Sequence, residues 1–106
     1  MKHLTTLLSV ATVLCVLSSV AAAQSHAATL FESNCLMCHG ADGEGTPTGK
    51  ALKAAAFHSP RVEKMSDAEL AAIIHNGKNN MPAFGNRLTS PQIESLVSYI
   101  RELQKK

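Results

Sequence analysis

Apolar residues recur at helical spacing along most of the chain. Ile93, Leu96, Val97, Ile100 and Leu103 fall at i, i+3, i+4, i+7 and i+10, a single stripe on an α-helix. Thr89 and Gln92 precede that stripe at the spacing of a capping box, and Pro91 suits a first turn whose N–H groups lack partners. A second box, Ser66 with Glu69, opens a segment whose stripe is Leu70, Ile73 and Ile74, and Asn76-Gly77 supplies a left-handed stop. Met65 and Leu70 stand at the two positions of a hydrophobic staple around that start. A third helix is predicted from about Ala27 through Phe31 to Cys38. The Ala-rich "KALKAAAF", residues 50–57, predicts a short fourth. No run alternates with period two for long enough to make a strand. The pattern therefore predicts an all-α domain without repeats or low-complexity tracts.

The N-terminus follows a different pattern. Lys2 is followed by an uncharged run from Leu4 to Ala23 that ends in Ala21-Ala22-Ala23 before Gln24. A positive start, a moderate apolar run and a small-residue end describe a cleaved secretory leader over 1–23. A retained membrane anchor is the alternative, since about 18 uncharged residues can span a bilayer. Cys15 lies inside the leader, behind Leu14 rather than the small residue that lipid attachment would want, and leaves with it.

Cleavage after Ala23 leaves one domain, 24–106, of 83 residues. Of ten basic and eight acidic residues only Lys2 departs, so nine and eight remain, a formal charge of +1. That balance argues against nucleic acid or a strongly anionic membrane as the main partner. A chain this short usually needs a staple to be stable, and only Cys35 and Cys38 are left to make one.

Those cysteines stand in "SNCLMCHGADGEG", residues 33–45. A thioredoxin-type dithiol belongs in a βαβ setting that this helical pattern does not offer. A structural zinc site wants four closed ligands, and none of His26, His39, His58 and His75 is spaced as a second ligand pair. C-x-x-C-H is instead the attachment signature of a c-type haem. Two cysteines at this spacing can add as thioethers to the porphyrin's vinyl groups, and the next residue, His39, is then placed to bind the iron. One covalent haem c would also supply the missing staple and much of the core. The neighbouring "GADGEG" lacks the further acidic positions of a calcium loop, and no strand precedes its glycines as a phosphate cradle requires.

With these motifs in hand the chain resembles the small bacterial single-haem class I cytochromes c. The resemblance runs through "LFESNCLMCHGADGEG", "SDAELAAIIHNGKNNMPAFGNRL" and "LTSPQIESLVSYIREL", almost the whole mature sequence. It implies a cytochrome c fold of three main helices plus a short fourth around one haem. An N-terminal helix would carry the attachment motif and cross the C-terminal helix, and a later loop would deliver a methionine to the iron. Phe31 and Tyr99 look like the aromatic pair of that crossing. Ala27 stands where the family often has glycine, so a slightly wider crossing is expected.

For the sixth iron position Met81 is the expected ligand, in the loop "NGKNNMPAFGNRL" with Pro82 stiffening the backbone behind it. Met37 lies on the attached side. Met65 remains a competitor, as do His75 in the last turn of a helix and His58 before Ser59-Pro60. Pro47 is nominated to accept the other ring N–H of His39. Lys50, Lys53, Lys78 and Arg87 could ring the haem edge and steer an acidic partner.

The expected function is electron transfer, not catalysis, between exported, periplasmic redox partner proteins, by a monomer that binds neither nucleic acid nor membrane once the leader is gone. Two other classes remain at this point. One is a haem enzyme or ligand sensor with a labile sixth ligand, and the other a zinc or dithiol module without haem.

Overall fold

The computed structural model describes residues 19, 22–24 and 26–106. The leader expected over 1–23 lies outside these apart from Ser19, Ala22 and Ala23. Among the described residues from 26 on, the helical elements are α1 (residues 26–34), α2 (Leu36–His39), α3 (Pro47–Ala51), α4 (Pro60–Glu63), α5 (Asp67–Asn76) and α6 (Ser90–Gln104). Among the described residues the only β feature is an isolated bridge between Lys78 and Met81.

The two longest elements form where caps and stripes agree. Both capping boxes are complete, with Ser66 and Thr89 accepting from the N3 backbone while Glu69 and Gln92 reach back to the cap N–H. Each cap stabilises its helix by about 1 kcal/mol. All five residues of the α6 stripe are buried, and Leu70 and Ile74 are buried on α5. At about 2 kcal/mol per buried aliphatic side chain, the α6 stripe is the largest apolar contribution of any element. Gly77 ends α5 with φ 73°, a conformation that only glycine adopts without strain.

The N-terminal helix bends where the attachment motif begins. Ser33 Oγ and Asn34 Nδ2 donate back to the carbonyls of Thr29 and Leu30, and Cys35 then sits at φ −121° between α1 and α2. Side chains that compete for backbone carbonyls in this way commonly bend a helix. Phe31, almost wholly buried, meets Tyr99 of α6 with centroids 5.1 Å apart. Ala27 is buried as well, at 4% exposed.

Two stretches differ from the expected pattern. The fourth helix runs over Pro47–Ala51 rather than 50–57, because Thr46 caps it by accepting from Gly49 N–H at 3.0 Å and Lys53 stops it with φ 61°. The alanines 54–56 are irregular instead. The unexpected α4 starts at Ser59, whose hydroxyl accepts from Val62 N–H, with Pro60 in its first turn. Arg101 of α6 then ties this region to α5, donating to Asp67 Oδ1 at 2.9 Å, to the Met65 carbonyl and to Gln104.

Candidate functional site

The attachment motif opens onto a cavity of about 540 Å³. Part of its wall is Cys35, Cys38 and His39, which the α1–α2 bend turns inward. Another part is Ile73 and Ile74 of α5 together with Met81 and Phe84 of the following loop. Ala54 and Ala55 line it without filling it, which is the local consequence of α3 ending early.

Main-chain contacts hold both parts of the wall. A Cβ on Gly49 would lie 1.8 Å from the Cys38 carbonyl oxygen, so α3 packs directly on the backbone of the motif. A Cβ on Gly77 would lie 2.6 Å from the Met81 carbonyl oxygen. Lys78 and Met81 exchange N–H···O bonds of 3.1 and 2.9 Å around Asn79, which has φ 52°. Asn80 Nδ2 donates to the Leu52 carbonyl at 3.0 Å, and the N–H groups of Phe84 and Gly85 return to the carbonyls of Ile74 and His75. The Arg87 guanidinium lies 4.5 Å from the Phe84 ring centroid.

The polar groups of the motif are prepared for a guest. Cys35 and Cys38 are free thiols, and burial pushes the Cys35 thiol up to about 11. His39 is half-buried and its Nδ1 is fully buried with no hydrogen-bond partner. Burial holds its pKa below the ordinary imidazole value, while the nearby Ala55 carbonyl pulls the other way without hydrogen-bonding geometry to Nδ1. The acceptor nominated for His39, Pro47, does not fill that role: it opens α3 and is exposed. Two unpaired thiols, an imidazole kept neutral and an apolar cavity fit a covalently bound porphyrin with iron, and among the described residues no group of three His, Cys, Asp or Glu side chains could hold a metal ion by itself.

The structure also sorts the competing ligands. Met37 is 78% exposed, and neither His58 nor His75 lines the cavity. His75 is exposed and its Nδ1 lies 3.0 Å from Asn76 Oδ1. Met81 and Met65 both line the cavity, so two thioethers remain. Of the four expected rim cations, Lys53 and Lys78 line it and Lys50 and Arg87 do not. Arg61, on the helix that periodicity missed, joins them.

The "GADGEG" loop has a structural role. Asp42 Oδ1 accepts from Glu44 N–H at 2.9 Å, and the Glu44 carboxylate pairs with His58 Nδ1. That hydrogen bond, aided by the charges of Glu44 and Glu63 and opposed by a smaller desolvation effect, raises the His58 pKa above 6.5. A pKa raised by folding means stability that is fully present below the unfolded value and lost as pH rises through the folded one. The thermal midpoint of the holoprotein should therefore exceed that of His58→Ala most below the ordinary imidazole value, and the gap should close as pH rises above it. A gap that stays constant or widens over that range, followed by circular dichroism, would contradict the pairing.

Residues 22–100 match the family described as cytochrome c oxidase, cbb3-type, subunit III. Cytochrome c6 of Synechococcus sp. (strain ATCC 27167 / PCC 6312) is 37% identical over 79 residues, covering 74% of this chain and 69% of that protein. The chain is a small single-haem class I c-type cytochrome. Cytochrome c6 of Aphanizomenon flos-aquae is likewise 37% identical, over 75 residues, covering 71% of this cytochrome and 84% of its relative. The solved structure of the KustC0563 c-type cytochrome superposes with a TM-score of 0.68 at 30% identity, covering 73% of this cytochrome and 95% of that chain. The fold is thus the cytochrome c fold, and the cytochrome carries covalently bound haem c with its iron as an electron carrier.

Proposed function

We propose that the cytochrome passes single electrons between exported redox proteins, with haem joined to Cys35 and Cys38 and iron held by His39 and Met81. One observation carries this reading: these four residues line a single cavity that Met37, His58 and His75 do not line, with Met65 the one other methionine in its wall. The bound haem supplies a one-electron ferric/ferrous couple. His39 contributes a neutral imidazole at ordinary pH because burial disfavours its charged form. Met81 contributes a soft thioether, which favours the reduced state over what a second imidazole would give. Its paired hydrogen bonds with Lys78 and the return bonds to α5 keep that sulfur's loop in place in either state.

With both axial positions filled, the protein is a carrier and not an enzyme. Its mature domain is 24–106, released by cleavage of the leader 1–23 into the periplasm. Among the described residues no helix is long and apolar enough to cross a membrane. The protein acts as a monomer, and its contacts with partners are small and transient, as is usual for electron-transfer encounters. Lys53, Arg61 and Lys78 at the cavity give those contacts a positive rim.

The test is the spectrum and voltammetry of the holoprotein. A low-spin spectrum in both states, a reversible one-electron couple and no carbon monoxide binding are expected. A five-coordinate spectrum, or turnover of peroxide, would overturn the carrier reading in favour of a sensor or enzyme. Intact mass should begin near Gln24, and a mass that retains Leu4 to Ala23 on membrane-bound protein would refute the exported soluble form.

A further inference from the structure

Two non-glycine residues of the described chain hold a left-handed backbone, Lys53 at φ 61° and Asn79 at φ 52°. Such conformations are disfavoured for residues that carry a Cβ, and they persist where the surrounding structure fixes them. These two stand beside opposite ends of one hydrogen bond. Asn80 Nδ2, following Asn79, donates at 3.0 Å to the carbonyl of Leu52, which precedes Lys53. All four residues line the cavity.

Each side of the bond is shaped by its own turn. Lys53 ends α3 in a Schellman motif, in which the Ala54 N–H returns to the Gly49 carbonyl at 2.8 Å and the Lys53 N–H to the Lys50 carbonyl at 3.1 Å. The motif takes up the carbonyls of Gly49 and Lys50 and leaves that of Leu52 to an outside donor. On the other side Lys78 and Met81 close a turn with their paired main-chain bonds, and Asn79 and Asn80 form its tip. Among the described residues, every other hydrogen bond of residues 77–88 stays within that loop or returns to α5. The Asn80 amide is thus the loop's one hydrogen-bonded tie to the α3 side, which itself rests on the Cys38 backbone at Gly49.

We propose that Asn80 is a positioning residue for the sixth iron ligand: its bond to Leu52 ties the tip of the methionine loop to α3 and slows release of the Met81 thioether. The inference rests on Met81 being that ligand. The tie joins the two walls of the cavity, one packed on the attachment motif and the other carrying the residue next to Met81. It lies at the surface, where it can open without unfolding the domain. The bonds from Phe84 and Gly85 to α5 do not depend on it, so opening frees the tip alone. Loss of the Asn80 donor should therefore raise the rate at which sulfur leaves the iron and leave the resting ligand set unchanged.

The experiment mixes ferric holoprotein with excess imidazole at one fixed neutral pH and follows loss of the weak far-red band expected of sulfur bound to ferric iron. In that exchange the iron–sulfur bond breaks, an iron–nitrogen bond forms and no electron moves. At saturating imidazole the rate reports release of the thioether. Asn80→Ala and Asn80→Asp both lack the N–H donor, one losing bulk and the other keeping it. Each is expected to keep the low-spin spectrum and the band before mixing, and to exchange about fivefold faster, the worth of one ordinary hydrogen bond. Leu96→Ala, in the core and off the cavity wall, should lower stability without changing the saturating rate. Wild-type rates in either Asn80 variant would overturn the proposal, as would an equal acceleration in Leu96→Ala. A wild-type protein with no far-red band would instead overturn the ligand assignment, and the proposal with it.

Discussion

Met81→Ala is expected to abolish the weak far-red absorption band that sulfur-to-iron charge transfer gives the ferric protein at neutral pH. The reduction potential should fall and the iron should become open to carbon monoxide or peroxide. Replacing the thioether leaves the iron without its soft ligand and without an occupant for that position, so the change is one of kind rather than degree. The discriminating control is Met65, whose side chain lines the same cavity. Met65→Leu conserves volume, should cost under about 1.5 kcal/mol and should leave the band intact. If Met65→Leu loses band and potential while Met81→Ala keeps them, the ligand is Met65. In the wild type, raising the pH should also remove the band as the loop releases its sulfur and a lysine or hydroxide replaces it. Lys78 lines the cavity and shares a bonded turn with Met81, which makes it the nominated replacement.

Replacing both Cys35 and Cys38 with serine is expected to leave almost no folded, coloured protein. The reason lies in the size of what the haem fills. Without the haem, apolar side chains such as Val62, Leu70, Ile73, Ile74 and Phe84 would line an opening of about 540 Å³ instead of packing on the porphyrin. A chain of this size has no surplus core with which to offset it. Either single substitution should give protein with one thioether or none and reduced accumulation, as seen by haem staining under denaturing conditions. Wild-type yields of a folded, colourless double variant would contradict covalent attachment at these residues.

How much of this could be read from the residues varied along the chain. The helices α5 and α6 were legible because capping box, stripe and stop signal all fall within one short window and agree. The covalent haem was legible because the spacing of Cys35, Cys38 and His39 is itself an attachment signature. Elsewhere the local signals conflicted. Alanines 54–56 favour a helix intrinsically, but Thr46-Pro47 starts α3 earlier and Lys53 ends it, so the alanines become cavity wall. The four residues of α4 are too few for any periodicity to show, although Ser59-Pro60 is a cap signal in hindsight. Arg61 reached the cavity with that helix. The tilted ring contact of Phe57 with His39 and the pairing of His58 with Glu44 join residues 18 and 14 positions apart through irregular backbone. Nothing in a one-dimensional pattern marks such contacts.

The glycines at 49 and 77 have a consequence for how this site could diversify. Each lets one stretch of main chain rest directly against another, beneath Cys38 in one case and Met81 in the other. The residues proposed to hold the haem are therefore braced by backbone, whose dimensions do not change when neighbouring side chains do. Ala54, Ala55 and Ile73 also line the cavity, and they are not the positions at which these two close main-chain contacts are made. Polarity and bulk around the cofactor can then drift, by selection or by design, while the attachment geometry stays put. A scaffold of this kind separates tuning from assembly: its redox properties are adjustable at positions whose alteration does not threaten the frame that captures the cofactor.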